Sequence, residues 1–151
     1  MSDPHPLSDH VGFMLRRAQL SVFQDFQQRT EGFGLTPAGY SVLAILDRHP
    51  GMRQNKLTGL LALKPANCVT LINGLERRGL VLREKVKVAG RAVALSLTGD
   101  GTALLAEVNV QVEEHLALMR QRLGGEDLAE LLRLLRKLVE SGGEPLADDL
   151  L

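Results

Sequence analysis

Between Lys64 and Arg78 the chain reads KPANCVTLINGLERR, with Asn67, Thr70 and Asn73 at three-residue intervals between cationic ends. Carboxamides and a hydroxyl so arranged suit recognition of a duplex rather than bond-making. Asparagine can donate to and accept from one adenine at once, and threonine can meet a base edge or a thymine methyl. Cations at the ends suit phosphates, which fix position without reading sequence. If Pro65 to Arg78 is a helix, Ala66, Val69, Ile72 and Leu75 share one face, the expected core side. Lys64, Asn67, Cys68, Thr70, Leu71 and Asn73 fall opposite, the expected DNA side, where the apolar Leu71 either touches a thymine methyl or marks a helical phase off by one. Lys56, Arg77 and Arg78 are expected on phosphates.

The wider charge pattern points the same way. From Arg53 to Leu97, nine cations (Arg53, Lys56, Lys64, Arg77, Arg78, Arg83, Lys85, Lys87, Arg91) face two carboxylates, Glu76 and Glu84. The segment carries +7 in a chain whose 18 basic and 18 acidic residues cancel, so the remainder carries −7. A cationic centre in an acidic frame is the footprint of a polyanion-binding module, whereas a merely solvated surface would mix the signs. Catalysis finds no support: there is no glycine-rich phosphate loop, paired catalytic carboxylate or Ser/His/Asp constellation. His5, His10, His49 and His115 lack metal-site spacing, so neither metal nor other cofactor is expected. The single cysteine, Cys68, forbids an internal disulfide. No apolar run approaches membrane-spanning length, and MSDPHPLSDH lacks a basic segment leading into an apolar one, so a cytoplasmic protein is expected.

These side chains need a frame. Ser8 can cap a helix in which Leu7, Val11, Met14, Leu15, Ala18, Val22 and Phe26 recur at helical spacing to about Arg29, with Gly32 and Gly34 behind it. Thr36-Pro37 opens a second helix that carries Tyr40, Leu43, Ile45 and Leu46 inward and stops at Pro50-Gly51. Gln54 to Leu61 and Pro65 to Arg78 form two short helices about a three-residue turn, a helix-turn-helix, with Gly79 closing the second. The period then changes to two. Residues 80–88 and 91–97 predict a hairpin about Ala89-Gly90, with Leu82 alternating against Arg83, Lys85 and Lys87. Arg91 at its tip suits a narrow minor groove, and Lys85 and Lys87 suit the flanking backbone. Thr98 caps a long leucine-striped helix to Leu123, and a last helix follows Gly124-Gly125.

The predicted fold is therefore mainly α with a small β-hairpin wing: one domain over 1–151, a winged helix-turn-helix core at 35–97, and flanking helices at 8–32 and 98–141. The apolar stripes of those flanking helices are too wide for the central module to cover. A second copy is the natural cover, and a two-fold dimer would offer two recognition helices to major grooves roughly 34 Å apart.

This layout resembles the multiple-antibiotic-resistance regulator (MarR) family of bacterial winged-helix repressors. The segments that carry the resemblance are LTPAGYSVLAIL (35–46), NKLTGLLALKPANCVTLINGLERRGLV (55–81) and GRAVALSLTGDG (90–101). One departure is plain: the family usually places an acidic residue just before its wing arginine, and here Val88, Ala89 and Gly90 precede Arg91. The resemblance implies a homodimeric repressor on a palindromic double-stranded operator, released by a small molecule. The stretch DHVGFMLRRAQLSVFQDF (9–26) resembles a subgroup controlling aromatic-acid breakdown, some of which respond to aromatic acyl-CoA thioesters. That likeness implies Arg16 and Arg17 as anion or phosphate partners, with Phe13, Phe23, Phe26 and Tyr40 lining an apolar pocket. The alternative is a repressor switched by oxidation of Cys68, which lies near a helix start with Lys64 close by.

Overall fold

Two threonines start the helices that frame the central core. Thr36 accepts a hydrogen bond from the Gly39 N–H (3.1 Å), with Pro37 in the first helical position, and opens α2 (Pro37–Arg48). Thr98 accepts from the Gly101 N–H (3.0 Å) and opens α5 (Gly99–Leu123). Each cap contributes about 1 kcal/mol. The structure, a computed structural model, describes residues 6–85 and 93–142. The remaining elements are α1 (Val11–Thr30) with a 3-10 turn (Glu31–Phe33), β1 (Met52–Arg53), α3 (Gln54–Leu60), α4 (Pro65–Arg77), β2 (Val81–Lys85), β3 (Val93–Leu97) and α6 (Gly125–Ser141). This is the mainly helical, winged architecture expected. The hairpin tip, with Lys87, Ala89, Gly90 and Arg91, lies outside the described residues, as does the acidic tail after residue 142.

The core sits where α2, α3, α4 and the sheet meet: Val42, Leu43, Leu46, Leu57, Ile72 and Leu95 are all sealed from solvent. Phe26, Leu105 and Val108 continue it towards α1 and α5. α4 ends in a Schellman turn. The Gly79 N–H bonds the Glu76 carbonyl, the Leu80 N–H bonds the Leu75 carbonyl, and Gly79 takes the left-handed φ (69°) that such a turn requires.

Four expectations need correction. Ser8 does not cap α1: it lies in a turn closed by the His10 N–H on the Leu7 carbonyl, and the helix starts behind an extended His10. The sheet has three strands, not two. β1 pairs with β3 (Met52↔Leu95, Arg53↔Ala94), and the order β1-β3-β2 puts β3 in the middle. The wing's inner and outer faces are reversed at β2. Val81, Arg83 and Lys85 pair with Leu97, Leu95 and Val93, so Arg83 shares the face of the buried Leu95, while Leu82 is 47% exposed. Finally, α4 is rotated from its expected phase. Cys68, Ile72 and Leu75 are buried, and Val69 and Ala66 are not. Spacing of 68, 72 and 75 describes the inner face better than an unbroken i, i+3 series, because 3.6 residues make a turn.

α1 and α6 remain bare over much of their apolar surface. No residue of α6 is buried, and Leu131, Leu132, Leu134, Leu138 and Val139 are all substantially exposed. Val11, Met14, Leu20 and Phe23 do the same on α1. Among the described residues no helix is long and apolar enough to cross a membrane.

Candidate nucleic-acid interface

The exposed side of α4 carries Pro65, Ala66, Asn67, Val69, Thr70 and Arg77. Asn67 stands free near the helix start. The Thr70 hydroxyl donates to the Ala66 carbonyl (3.0 Å), so towards solvent it offers an acceptor. Asn73 is half-buried, and its Oδ1 accepts from Arg83 Nη2 (2.9 Å); it enters the surface as half of a cross-element pair. Arg83 also faces Glu76, with its Nε 3.8 Å from the carboxylate. Sequence reasoning missed this brace because the strand phase was reversed.

Cys68 and Leu71 leave the expected DNA face. Cys68 has no exposed surface and Leu71 packs against the core, both as consequences of the helix phase. The Cys68 thiol therefore has no solvent contact, and an oxidised sulfur there would need room inside a packed core. Val69 takes the outward apolar place and borders an open groove of about 500 Å³ with Arg53, Gln54, Asn55, Thr58, Pro65 and Val93.

The cations sort into two groups. Lys56 on α3, Lys64 immediately before α4, Arg77 at its last turn and Lys85 on β2 are all exposed. Arg78 is exposed too, but its guanidinium is held by backbone. Its Nη1 donates to the Gly34 carbonyl (2.6 Å) and its Nη2 to the Phe33 carbonyl (2.8 Å).

The residues expected to hold a ligand separate into two places. Phe26 and Tyr40 meet edge to face (centroids 5.4 Å apart), and Phe26 also meets the His115 ring (5.6 Å). The Tyr40 hydroxyl donates to Asn109 Oδ1 (3.1 Å), and burial, helped by nearby Glu113, holds its pKa above the ordinary 10.0. Phe13, Arg16 and Arg17 lie nearer the start of α1, with Arg17 over the Phe13 ring at 5.8 Å, while Phe23 is exposed, less than one turn before Phe26. Phe13 and Phe26 are thirteen residues apart on one helix, about 20 Å along its axis.

Asn109 and His115 were not foreseen, nor was the polar clasp behind them. His115 is almost wholly buried on α5, and its Nδ1 lies 2.6 Å from Asp25 Oδ2 on α1. Arg29 donates to the same oxygen (3.1 Å) and to Glu114 (2.9 Å), tying α1 to α5. The hydrogen bond from His115 first, then Arg29, pulls the Asp25 pKa below its ordinary 3.8. A carboxylate depressed in the folded state stabilises fully above its unfolded pKa, and the gain is lost as pH falls through the folded value. Asp25→Asn should therefore cost about 1–3 kcal/mol at neutral pH. It should also flatten the loss of stability below pH 3.8 relative to the unchanged protein. Urea melts at pH 7 and across the acid range measure both, and parallel acid limbs would contradict the assignment.

Comparison with known proteins agrees with this geometry. Residues 35–93 match the MarR family. Two structures of the transcriptional repressor CouR, one bound to a 23-mer DNA duplex and one to p-coumaroyl-CoA, superpose with TM-scores of 0.84 and 0.83. The chain is 36% and 34% identical to them, with 88% and 92% of it covered against 94% and 98% of theirs. The homoprotocatechuate degradative operon repressor of Escherichia coli is 27% identical over 142 residues, 94% of this chain and 96% of that protein.

Proposed function

The chain belongs to the MarR family of transcriptional regulators, and we propose that it is a repressor that grips a palindromic operator as a homodimer and releases it when an aromatic acid or its CoA thioester binds. The observation that carries this reading is the pairing of exposed cations on α3, α4 and β2 with bare apolar faces on α1 and α6. Residues 35–97 would form the DNA-binding core, and 8–32 with 98–141 the dimer helices. Asn67 and Thr70 would meet base edges, with Asn73 held by Arg83 beside them. Lys56, Lys64, Arg77 and Lys85 would meet phosphates, together with Lys87 and Arg91, which lie outside the described residues.

The effector class is supported by the CouR complex with p-coumaroyl-CoA and by the separation of the two ligand clusters. A free aromatic acid is shorter than the roughly 20 Å from Phe13 to Phe26. An aromatic CoA thioester spans such a gap through its pantetheine arm, with its ring at Phe26 and Tyr40 and its phosphates at Arg16 and Arg17.

One experiment tests both halves. The protein selects duplexes from a random pool; binding is then followed by fluorescence anisotropy against salt, and the complex is titrated with aromatic acids and their CoA thioesters. Affinity should fall steeply with salt, and a thioester should release the DNA where the free acid does so only weakly. In the same assay Lys56→Ala should weaken all duplexes alike and reduce the salt slope by about 1. Asn67→Ala should cost about 1–3 kcal/mol on selected sites only. Failure to bind any duplex at low salt would end the reading.

A further inference from the structure

We infer that Arg78 is a positioning residue that sets the tilt of the recognition helix α4 against α1, rather than a contact to DNA. The inference rests on the DNA-binding reading above. Arg78 is the C-cap of α4, and its two outer nitrogens hold consecutive carbonyls, Phe33 (2.8 Å) and Gly34 (2.6 Å), where the 3-10 turn behind α1 ends. Its cation thus lies between two helix C-termini, each with a partial negative charge. Gly34 takes the left-handed conformation (φ 62°) that favours glycine at this turn, and a Cβ there would be in ordinary contact, 3.6 Å, with the guanidinium nitrogens.

The packing beside this brace is incomplete. An open cleft of about 230 Å³ separates the start of α2 from α4, bordered by Leu35, Gly39, Thr70, Leu71, Gly74 and Arg78. Close-packed side chains would fix the interhelical angle by themselves; a cleft with three glycines on its walls, Gly34, Gly39 and Gly74, does not. The planar fork on two fixed carbonyls supplies a directional restraint that an apolar edge lacks. The lever is long. Asn67 and Thr70 lie 11 and 8 residues from Arg78, about 16 and 12 Å along the axis, so a tilt of about 5° at the Arg78 end moves them by roughly 1.4 and 1 Å. That shift is enough to break hydrogen bonds to base edges.

Lysine separates the two roles. It replaces arginine adequately as a point charge at a phosphate but cannot span two carbonyls with a planar fork. Wild type, Arg78→Lys, Arg78→Gln and, as a phosphate control, Arg77→Gln are compared by anisotropy on a duplex selected by the wild type and on an unrelated duplex. Salt is varied, at a temperature where circular dichroism shows each to be folded. Arg78→Lys keeps the charge and long stem, which guards against loss of fold.

Both Arg78 variants should bind the selected duplex at least about tenfold more weakly. Their binding to the unrelated duplex and their salt slope should be unchanged. Arg77→Gln should lower the slope by about 1 on both duplexes. The inference is overturned if Arg78→Lys binds like wild type, even with a lower melting temperature, or if Arg78→Gln lowers the slope and weakens both duplexes equally. A wild type that binds no duplex overturns the parent reading and this inference together; wild-type binding with an unaffected Arg78→Lys overturns the inference alone.

Discussion

Gly101→Ala should destabilise the fold by about 2–4 kcal/mol, and Gly99→Ala, two residues earlier, should not. Gly101 is buried in the first turn of α5, directly over the end of the recognition helix. A Cβ there would overlap the Leu80 carbonyl oxygen far inside van der Waals contact, with the Leu80 carbonyl carbon only 3.0 Å away. Neither side can yield cheaply, because both are hydrogen-bonded backbone. The Leu80 carbonyl accepts from the Thr98 N–H (3.1 Å), and the Leu80 N–H is fixed by the Leu75 carbonyl (3.0 Å). Thr98 Oγ1 meanwhile donates to the Gly79 carbonyl (2.5 Å) and accepts from Gly101 itself. Relief requires α5 to lift from the β2 entrance, which breaks part of this set. Overpacking of this kind costs about 1–3 kcal/mol, and each hydrogen bond lost with a buried group left unpaired costs a similar amount. The helix preference of alanine returns about 1 kcal/mol. For a chain of this size the net loss lowers the melting temperature by roughly 5–15 °C. At Gly99 a Cβ meets nothing within 4 Å, so that variant controls for the glycine change alone. Equal melting temperatures for the two variants would show that the junction is looser than its geometry.

Gly101 also marks what the sequence could and could not convey. Caps, breaks and periods are local, and local signals located most elements: Thr36-Pro37, Thr98 and Gly79 stand at the ends where their chemistry placed them. The two-residue β1 escaped because a strand that short has no period to detect; only its partner Leu95, 43 positions on, defines it. The phase of α4 was misjudged because apolar residues lie all round it. Val69, Leu71 and Ile72 allow two inner faces, and the small buried Cys68 decides between them only once the neighbouring helices are in place.

The reversed face of β2 has a similar cause. Arg83 looked like a solvent-facing residue, yet Asn73 and Glu76 on another element receive its guanidinium. Three of the polar arrangements described here join distant segments: Arg78 to Phe33 and Gly34, Tyr40 to Asn109, and Asp25 to His115. Side-chain type announces a donor or acceptor, but the partner is chosen by the fold. The candidate DNA surface was therefore legible as a region, through its charge and its helix-turn-helix spacing. Its membership changed at Cys68 and Leu71, where burial claims the side chain.

Replacing Leu131 and Leu138 together by glutamate should dissociate the dimer and reduce operator affinity by about 100-fold or more. The two positions are seven apart on α6, hence on one face. Both are exposed in a single protomer, at 40% and 46%. Leu128 and Leu135, which are half-buried, are left untouched, so the isolated protomer loses little packing. In a two-fold dimer every substitution counts twice. Burying a leucine fully is worth about 1.5–3 kcal/mol, and with 40% and 46% of the two side chains still exposed in the protomer, four leucines account for roughly 2.5–5 kcal/mol of association. That is about a third to two thirds of the binding energy of a micromolar dimer, about 8 kcal/mol, and the cost of burying four carboxylates adds to it. A solvated α6 predicts the opposite: added charge on a free surface changes nothing measurable. Light scattering separates the two, because the mass should fall from twice 16.5 kDa to 16.5 kDa at micromolar concentration. The DNA result then follows from geometry, since one protomer engages one half-site and loses the second, tethered contact. If the mass halves and operator affinity holds, the two half-sites act independently and the dimer has no part in DNA recognition. If the mass does not change, α6 is not where the copies meet.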